Sequence, residues 1–176
     1  SSFSVKDQLG QLLTINRYSN ESGSNKLQRS FNGVSARIEQ MGLDANLQFM
    51  QYRITLKPWF WLLTHTHSFR VYHTQSTKDI VSDIFDNAGF KGKYKLSSLP
   101  STKREYCLQY NESDFDFVTR LLAEEGLHYY FEHESGDHTM VIQDAQSPFD
   151  KADVAKFDMQ ETPSGSLPLI KSWAPV

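Results

Sequence analysis

Apolar positions along this chain change their period several times, and each change marks an element. Between Val5 and Tyr18, Leu9, Leu12, Leu13 and Ile15 stand among polar neighbours, and the later half of that stretch predicts a strand. Residues 19–25 are a loop by composition. Phe31, Val34 and Ile38 then predict a strand over residues 29–39, with Gly33 inside it as the sign of a bulge or a close backbone approach. Tyr52, Ile54 and Leu56 alternate with Arg53, Thr55 and Lys57, the pattern of a half-buried strand, which Pro58 ends because it cannot donate to a ladder. Residues 69–74 predict another short strand.

Two helices follow the same grammar. Ser76 is placed to cap the first, Asp79 to complete a capping box, and Ile80, Ile84 and Ala88 share one face beside Val81 and Phe85. Gly89 supplies a left-handed stop. The pattern recurs 37 residues later with Ser113, Asp116, Phe117, Val118, Leu121, Leu122 and Gly126. Shared capping chemistry and a duplicated unit both account for this recurrence. Leu127, Tyr129 and Phe131 alternate with His128, Tyr130 and Glu132, and a turn at residues 134–137 leads into a partner strand to Asp144, a β-hairpin. Beyond Asp144, Pro148, Pro163, Gly165 and Pro168 predict an irregular connection over residues 145–176, with a strand starting at 170–173. The expected class is α+β with a β-dominated frame and two helices, at about 76–88 and 113–125.

Composition narrows the picture. Hydrophobic residues make up 39% and aromatics 13%, enough to offset chain entropy with a core. The net charge of −3 and the lack of a basic block argue against nucleic acid as a partner. The lone Cys107 excludes a disulfide within the chain. The longest aromatic-aliphatic run, Trp59-Phe60-Trp61-Leu62-Leu63, is far short of the roughly 20 residues that span a bilayer, so no stable membrane insertion is expected. No signal peptide is visible, but a chain opening on Ser1-Ser2 reads as an excised piece, with sequence expected on both sides.

Candidate chemistry thins out on inspection. His65 and His67 would share a face on one strand, yet no third ligand is suggested nearby, so no metal is expected. His128, His133 and His138 surround the hairpin and read as surface or interface residues. Cys107 alternates with Glu105 and Gln109, opposite Tyr106, Leu108 and Tyr110, and reads as a buried, inert thiol. Asp114 and Asp116 complement a helix dipole, whereas Glu124 and Glu125 stand at its unfavourable end. A partner chain supplying the missing cation makes Glu124 and Glu125 candidate interface residues, together with Trp59 and Trp61. No catalytic residue, cofactor site or nucleotide motif is assigned.

Several segments, in order, resemble the VgrG family of type VI secretion spike proteins. They are residues 29–34 (Arg-Ser-Phe-Asn-Gly-Val), residues 52–58 followed by Trp61-Leu62-Leu63, and residues 69–72 with the helix after Ser76. The most specific run is residues 104–117, continuing through Arg120-Leu121-Leu122 and Glu124-Glu125-Gly126 to Phe131. The resemblance implies a hub domain similar to a phage tail baseplate, with tube-like β-barrels and two inserted helices. Residues 1–144 would be part of that hub, and 145–176 would continue into the rest of it. It further implies a structural, non-enzymatic role in a homotrimeric spike that joins the secreted tube protein to a puncturing needle, with effectors and a tip protein on the full-length molecule. Assembly would be in the bacterial cytoplasm, followed by secretion through the apparatus to the exterior or into target cells. The nearest alternative is the baseplate hub of a contractile phage tail or related injection device. Alternatives of another class are a cell-wall hydrolase using Glu124 or Glu125, and a carbohydrate-binding module using Trp59 and Trp61.

Overall fold

A computed structural model describes residues 5–19, 26–43, 46, 48–97 and 99–147. The loop expected at 19–25 lies, past Ser19, outside them, as do residues 148–176 with the strand expected at 170–173. The described chain is a β-dominated α+β fold. A short helix α1 (Val5–Gln8) precedes β1 (Leu12–Ser19), β2 (Lys26–Leu43) and β3 (Met50–Lys57). A 3-10 helix (Trp59–His65) leads to β4 (His67–Ser76), α2 (Thr77–Asn87), β5 (Tyr94–Leu96), β6 (Lys103–Ser113), α3 (Asp114–Glu124), β7 (Leu127–Glu134) and β8 (Asp137–Asp144). The strands form three open sheets, ordered β1-β2-β3, β4-β6 and β5-β8-β7. All pairs are antiparallel except β5 with β8. None of these sheets closes on itself among the described residues. The three-residue β5 has too little periodicity to be seen in sequence.

The long strand β2 pairs with β1 through its first half and with β3 through its second, the two partners meeting at Val34. A side chain at Gly33 would meet the Leu56 Cβ and the Lys57 carbonyl oxygen at 3.0 Å. The glycine therefore marks a close approach, while the register slips elsewhere, between Ser35 and Arg37 and between Gln40 and Gly42. Of the apolar positions expected to be half-buried over residues 52–56, Leu56 is so and the other two are not. Tyr52 and Ile54 are exposed, because no described layer covers that face of the sheet.

A single core lies elsewhere, under α2, α3, the 3-10 helix and the last sheet. Phe60 is its centre. Its ring lies 5.8 Å from Phe85 of α2, 4.6 Å from Phe115 of α3 and 5.3 Å from Tyr129 of β7. The helices present Ile80, Val81, Ile84 and Phe85, and Phe117, Val118, Leu121 and Leu122, as their spacing predicts. Ser76 and Asp79 form the full capping box, and the Ser113 hydroxyl accepts from the Asp116 backbone N–H at 3.0 Å. Each cap contributes about 1 kcal/mol. Gly89 and Gly126 take φ of +86° and +67°.

The 37-residue likeness extends to the backbone. Thr74 and Asn111 (themselves that distance apart) are the non-glycine residues with positive φ among those described, at 54° and 48°. Each stands two residues before its serine cap. Because β4 and β6 run antiparallel, Ser76 lies opposite Lys103 and Ser113 opposite His67, so the helices leave opposite ends of the ribbon. Capping chemistry alone does not require a shared left-handed kink.

Truncating Phe60 to alanine should lower the unfolding free energy by about 3–5 kcal/mol, measured by chemical denaturation. A β-branched residue is strained at the φ of Thr74, whereas asparagine tolerates it. Thr74→Asn should accordingly raise stability by about 1 kcal/mol in the same assay; an unchanged midpoint would show that the kink stores no strain.

Candidate assembly interface

The β4–β6 ribbon has two faces of opposite and unexpected character. The inner face carries Arg70 and Tyr72 of β4 opposite Gln109 and Cys107 of β6. Arg70 donates to the Asp114 carboxylate at 2.7 Å and to the Gln109 side-chain oxygen at 3.2 Å, and the Gln109 amide donates to Asp114 at 2.7 Å. Asp114 and Gln109 are both buried. Asp114 opens α3, so its charge also complements the helix dipole. Each member satisfies another, which is the condition for a buried polar cluster to be tolerated.

The outer face is apolar. Phe69 faces Tyr110, Val71 faces Leu108, and His73 faces Tyr106 across the two strands. The Phe69 and Tyr110 rings meet edge to face at 5.3 Å, and His73 and Tyr106 at 5.4 Å. Phe69 and Tyr110 are 67% and 70% exposed, far above what a core pair would show. Covering one such side chain contributes roughly 1.5–3 kcal/mol, so a contiguous ladder of them marks a surface built for contact. The β1–β2–β3 sheet adds a second uncovered region. Ile15 faces Phe31 and Ile38 faces Ile54 across its strands, and Ile15, Phe31 and Ile54 are exposed. Sequence reasoning missed the ladder because both ribbon faces carry large side chains, and alternation alone does not tell inside from outside.

The residues singled out from sequence are spread over several settings. Trp59 is buried, its ring stacked 4.4 Å from Phe90 and edge-on to Phe85 at 5.0 Å. It offers no free ring face on which a sugar could stack. Trp61 is half-buried, with its ring against His65 at 4.8 Å. Glu124 and Glu125 receive their cation from the same chain. Arg104 of β6 bonds Glu124 at 2.6 Å and Glu125 at 2.7 Å, and the Thr77 hydroxyl at the start of α2 also donates to Glu125. Arg120 links Glu124 to Glu112. These ion pairs tie β6 to the start of α2 and the end of α3. Hydrogen bonds from Arg104, reinforced by Arg120, hold the Glu124 carboxyl below its ordinary range.

His65 ends the 3-10 helix and His67 begins β4, so the two do not share a strand face as a metal pair would need. Among the described residues no group of three or more His, Cys, Asp or Glu side chains is placed to hold a metal ion. Cys107 is buried against the core, and burial pushes its thiol up from the ordinary value. No helix among the described residues is long and apolar enough to cross a membrane.

Comparison with known proteins adds an independent finding. The family model of the phage tail baseplate hub (GPD) matches residues 1–174. The chain is 41% identical over 130 residues to the type VI secretion system spike protein VgrG1b of Pseudomonas aeruginosa, covering 72% of this chain and 17% of that protein. It is 43% identical over 117 residues to VgrG1c of the same organism, covering 66% and 16%. The actin cross-linking toxin VgrG1 of Vibrio cholerae is 38% identical over 100 residues, 57% of this chain and 9% of that protein. The chain thus spans about a sixth of the length of the Pseudomonas relatives. Among solved structures, the E. coli c3393 protein superposes with a TM-score of 0.70 at 23% identity, over 85% of this chain and 40% of that one. It is described as a type VI secretion component structurally similar to the T4 bacteriophage tail proteins gp27 and gp5, and the likeness is one of fold.

Replacing Arg104 by methionine keeps the aliphatic stem and removes both ion pairs. It should cost roughly 1–2 kcal/mol near neutral pH, given that the cluster is partly exposed. Because the folded Glu124 carboxyl titrates below its ordinary 4.5, its contribution is present above that pH and lost as pH falls through the folded value. The Arg104→Met chain should therefore show a shallower stability loss below about pH 4.5 than the parent, read from denaturation midpoints.

Proposed function

The chain belongs to the phage tail baseplate hub family, and from that premise we propose that it is a hub segment of a VgrG-type type VI secretion spike. Its task on this reading is structural. Copies of the chain meet around an axis to form the trimeric hub that joins the secreted tube to the puncturing needle. The observation that carries the reading is the uncovered apolar surface, the Phe69–Tyr110 ladder together with the bare face of the β1–β2–β3 sheet. A free-standing domain gains nothing from such surface, whereas a part of a closed ring needs it. On this reading the open β1–β2–β3 sheet is one arc of a tube-like barrel. The 41% and 43% identity to spike proteins supports secretion over a phage tail as the setting.

No chemistry is assigned to this segment. The carboxylates that a hydrolase would use are engaged with Arg104 and Arg120, and the toxin activity in the name of the Vibrio relative belongs to a protein of which this chain matches 9%. On this reading the molecule assembles in the bacterial cytoplasm and leaves through the apparatus, with the tube protein, a tip protein and effectors as partners of the full-length spike.

Multi-angle light scattering of the chain with its hub flanks restored should report three times the monomer mass. A strict monomer across micromolar concentrations counts against the hub reading. The paired substitution Phe69→Lys/Tyr110→Lys should weaken assembly at least tenfold while the thermal midpoint of the monomeric fold stays within a few degrees, because both side chains stand in solvent in the single chain. Full assembly by that variant would remove the ladder from the interface.

A further inference from the structure

The β1–β2–β3 sheet is joined to the rest of the molecule by an unusual seam. Val34 is its one buried hydrophobic residue among those described, and it stands outside the core cluster. Beside one ring contact, Phe31 to His133 at 6.0 Å, a polar strip of β2 meets the tip of the β7–β8 hairpin. The Asn32 backbone N–H donates to Nδ1 of His133 at 3.0 Å. The Asn32 side-chain amide donates to the carbonyls of Glu134 and Asp137 on either side of the hairpin turn. One pair along the hairpin register, His138 stands directly opposite His133 and makes a parallel contact. Its Nε2 accepts the backbone N–H of Trp59, the first residue of the 3-10 helix, at 3.0 Å.

Both rings are therefore used as acceptors of backbone hydrogen bonds, a role only the neutral imidazole can fill. The rings lie 5.8 Å apart, His138 is 1% exposed, and its Nδ1 has no partner among the described residues. We propose that His133 and His138 form an acid-sensitive latch that docks the β1–β2–β3 sheet and the 3-10 helix onto the hairpin. A proton arriving at His133 Nδ1 turns the acceptor into a donor facing the Asn32 N–H. A proton arriving at His138 Nε2 does the same to Trp59. In either case one backbone bond to another element is lost, and the proximity of the rings opposes charging both together.

The surroundings agree in sign. Burial and the Arg29 guanidinium of β2 both hold His133 below its ordinary value. Burial, His133 and Lys93 do so for His138, against the opposing charge of Asp137. Asp137 is itself paired with Lys93 and accepts the His138 backbone N–H. Glu132 and Glu134 flank His133 on β7, and Glu132 is held by Lys95. The 3-10 helix brings the Trp59 amide to His138, with no charged side chain of its own within that bond. A histidine whose docked value lies below its free value stabilises docking above the free value, near pH 6.5, and that contribution fades as pH falls. Each latch histidine that stays neutral when docked thus favours release about tenfold at pH 5.5 relative to pH 8. Against the opposing effect of burial, hydrogen bonds from Lys93 and the His138 backbone N–H hold Asp137 below its ordinary value, so it remains ionised in that window.

Hydrogen–deuterium exchange on the intact protein, corrected for intrinsic exchange rates, tests this. Peptides containing Asn32 and Trp59 should lose about tenfold or more of their protection from pH 8 to pH 5.5, while a peptide from α3 stays protected. In His133→Asn/His138→Gln, whose side-chain oxygens can accept at Nδ1-like and Nε2-like positions without titrating, protection at both peptides should not change with pH. Equal protection of the parent at both pH values would overturn the latch. So would parallel loss in the α3 peptide, which means global unfolding, and so would an unaltered pH response in the double variant. Should that variant fail to fold, the parent comparison between the Asn32 and α3 peptides still decides.

Discussion

The Phe60 ring is the contact on which the rest of the packing depends. The 3-10 helix carries it, and it touches α2 through Phe85, α3 through Phe115 and β7 through Tyr129. Four elements that share no backbone hydrogen-bond ladder are thereby fixed around one fully buried side chain. The two helices can then turn their apolar stripes inward, and the β4–β6 ribbon is laid over them with Tyr72 and Cys107 facing the core. Dense interiors tolerate no void at such a point, so the arrangement is held to one solution.

Burial is complete only on that side. The ribbon satisfies its inward Arg70 and Gln109 through Asp114 and leaves its aromatic rungs in solvent. The β1–β2–β3 sheet has ladder hydrogen bonds but no hydrophobic layer of its own. Its hydrogen bonds to the hairpin run from Asn32 to His133 and to the carbonyls of Glu134 and Asp137, and such bonds are directional and individually modest, of order 1 kcal/mol each. The packed α+β unit thus carries a sheet whose seam is largely polar and which leaves apolar side chains such as Ile15 and Ile54 exposed. Such a division suits a component that completes its core only against neighbours, and it makes the seam the place where solution conditions act on the fold.

The recurrence at 37 residues acquires meaning in the same frame. Thr74 and Asn111 bend their strands, Ser76 and Ser113 start the helices, and Gly89 and Gly126 stop them. Antiparallel pairing of β4 with β6 places these matching units at opposite ends of one ribbon, so that α2 and α3 converge on the core from both directions. Arg104 then bridges the start of one helix and the end of the other.

Sequence alone determined what depends on near neighbours. The caps at Ser76 and Ser113, the glycine stops, the helical stripes, the hairpin turn at Gly136 and the close approach at Gly33 all rest on interactions within a few residues or on glycine's lack of a Cβ, and all were legible. The family resemblance was legible too, because it rests on the order of such segments. The tertiary structure alone decided which face of each strand is inside. Tyr106, Leu108 and Tyr110 carry more apolar surface than Cys107 and Gln109, yet they face solvent, because Arg70, 39 positions from Gln109, joins Asp114 in satisfying the polar side. The same holds for Glu124 and Glu125, whose cation is Arg104, 20 and 21 positions away, and for the histidines, whose partners lie 101 and 79 positions away. Periodicity reports the shape of an element, but long-range hydrogen bonds and packing choose its orientation, and these have no local signature.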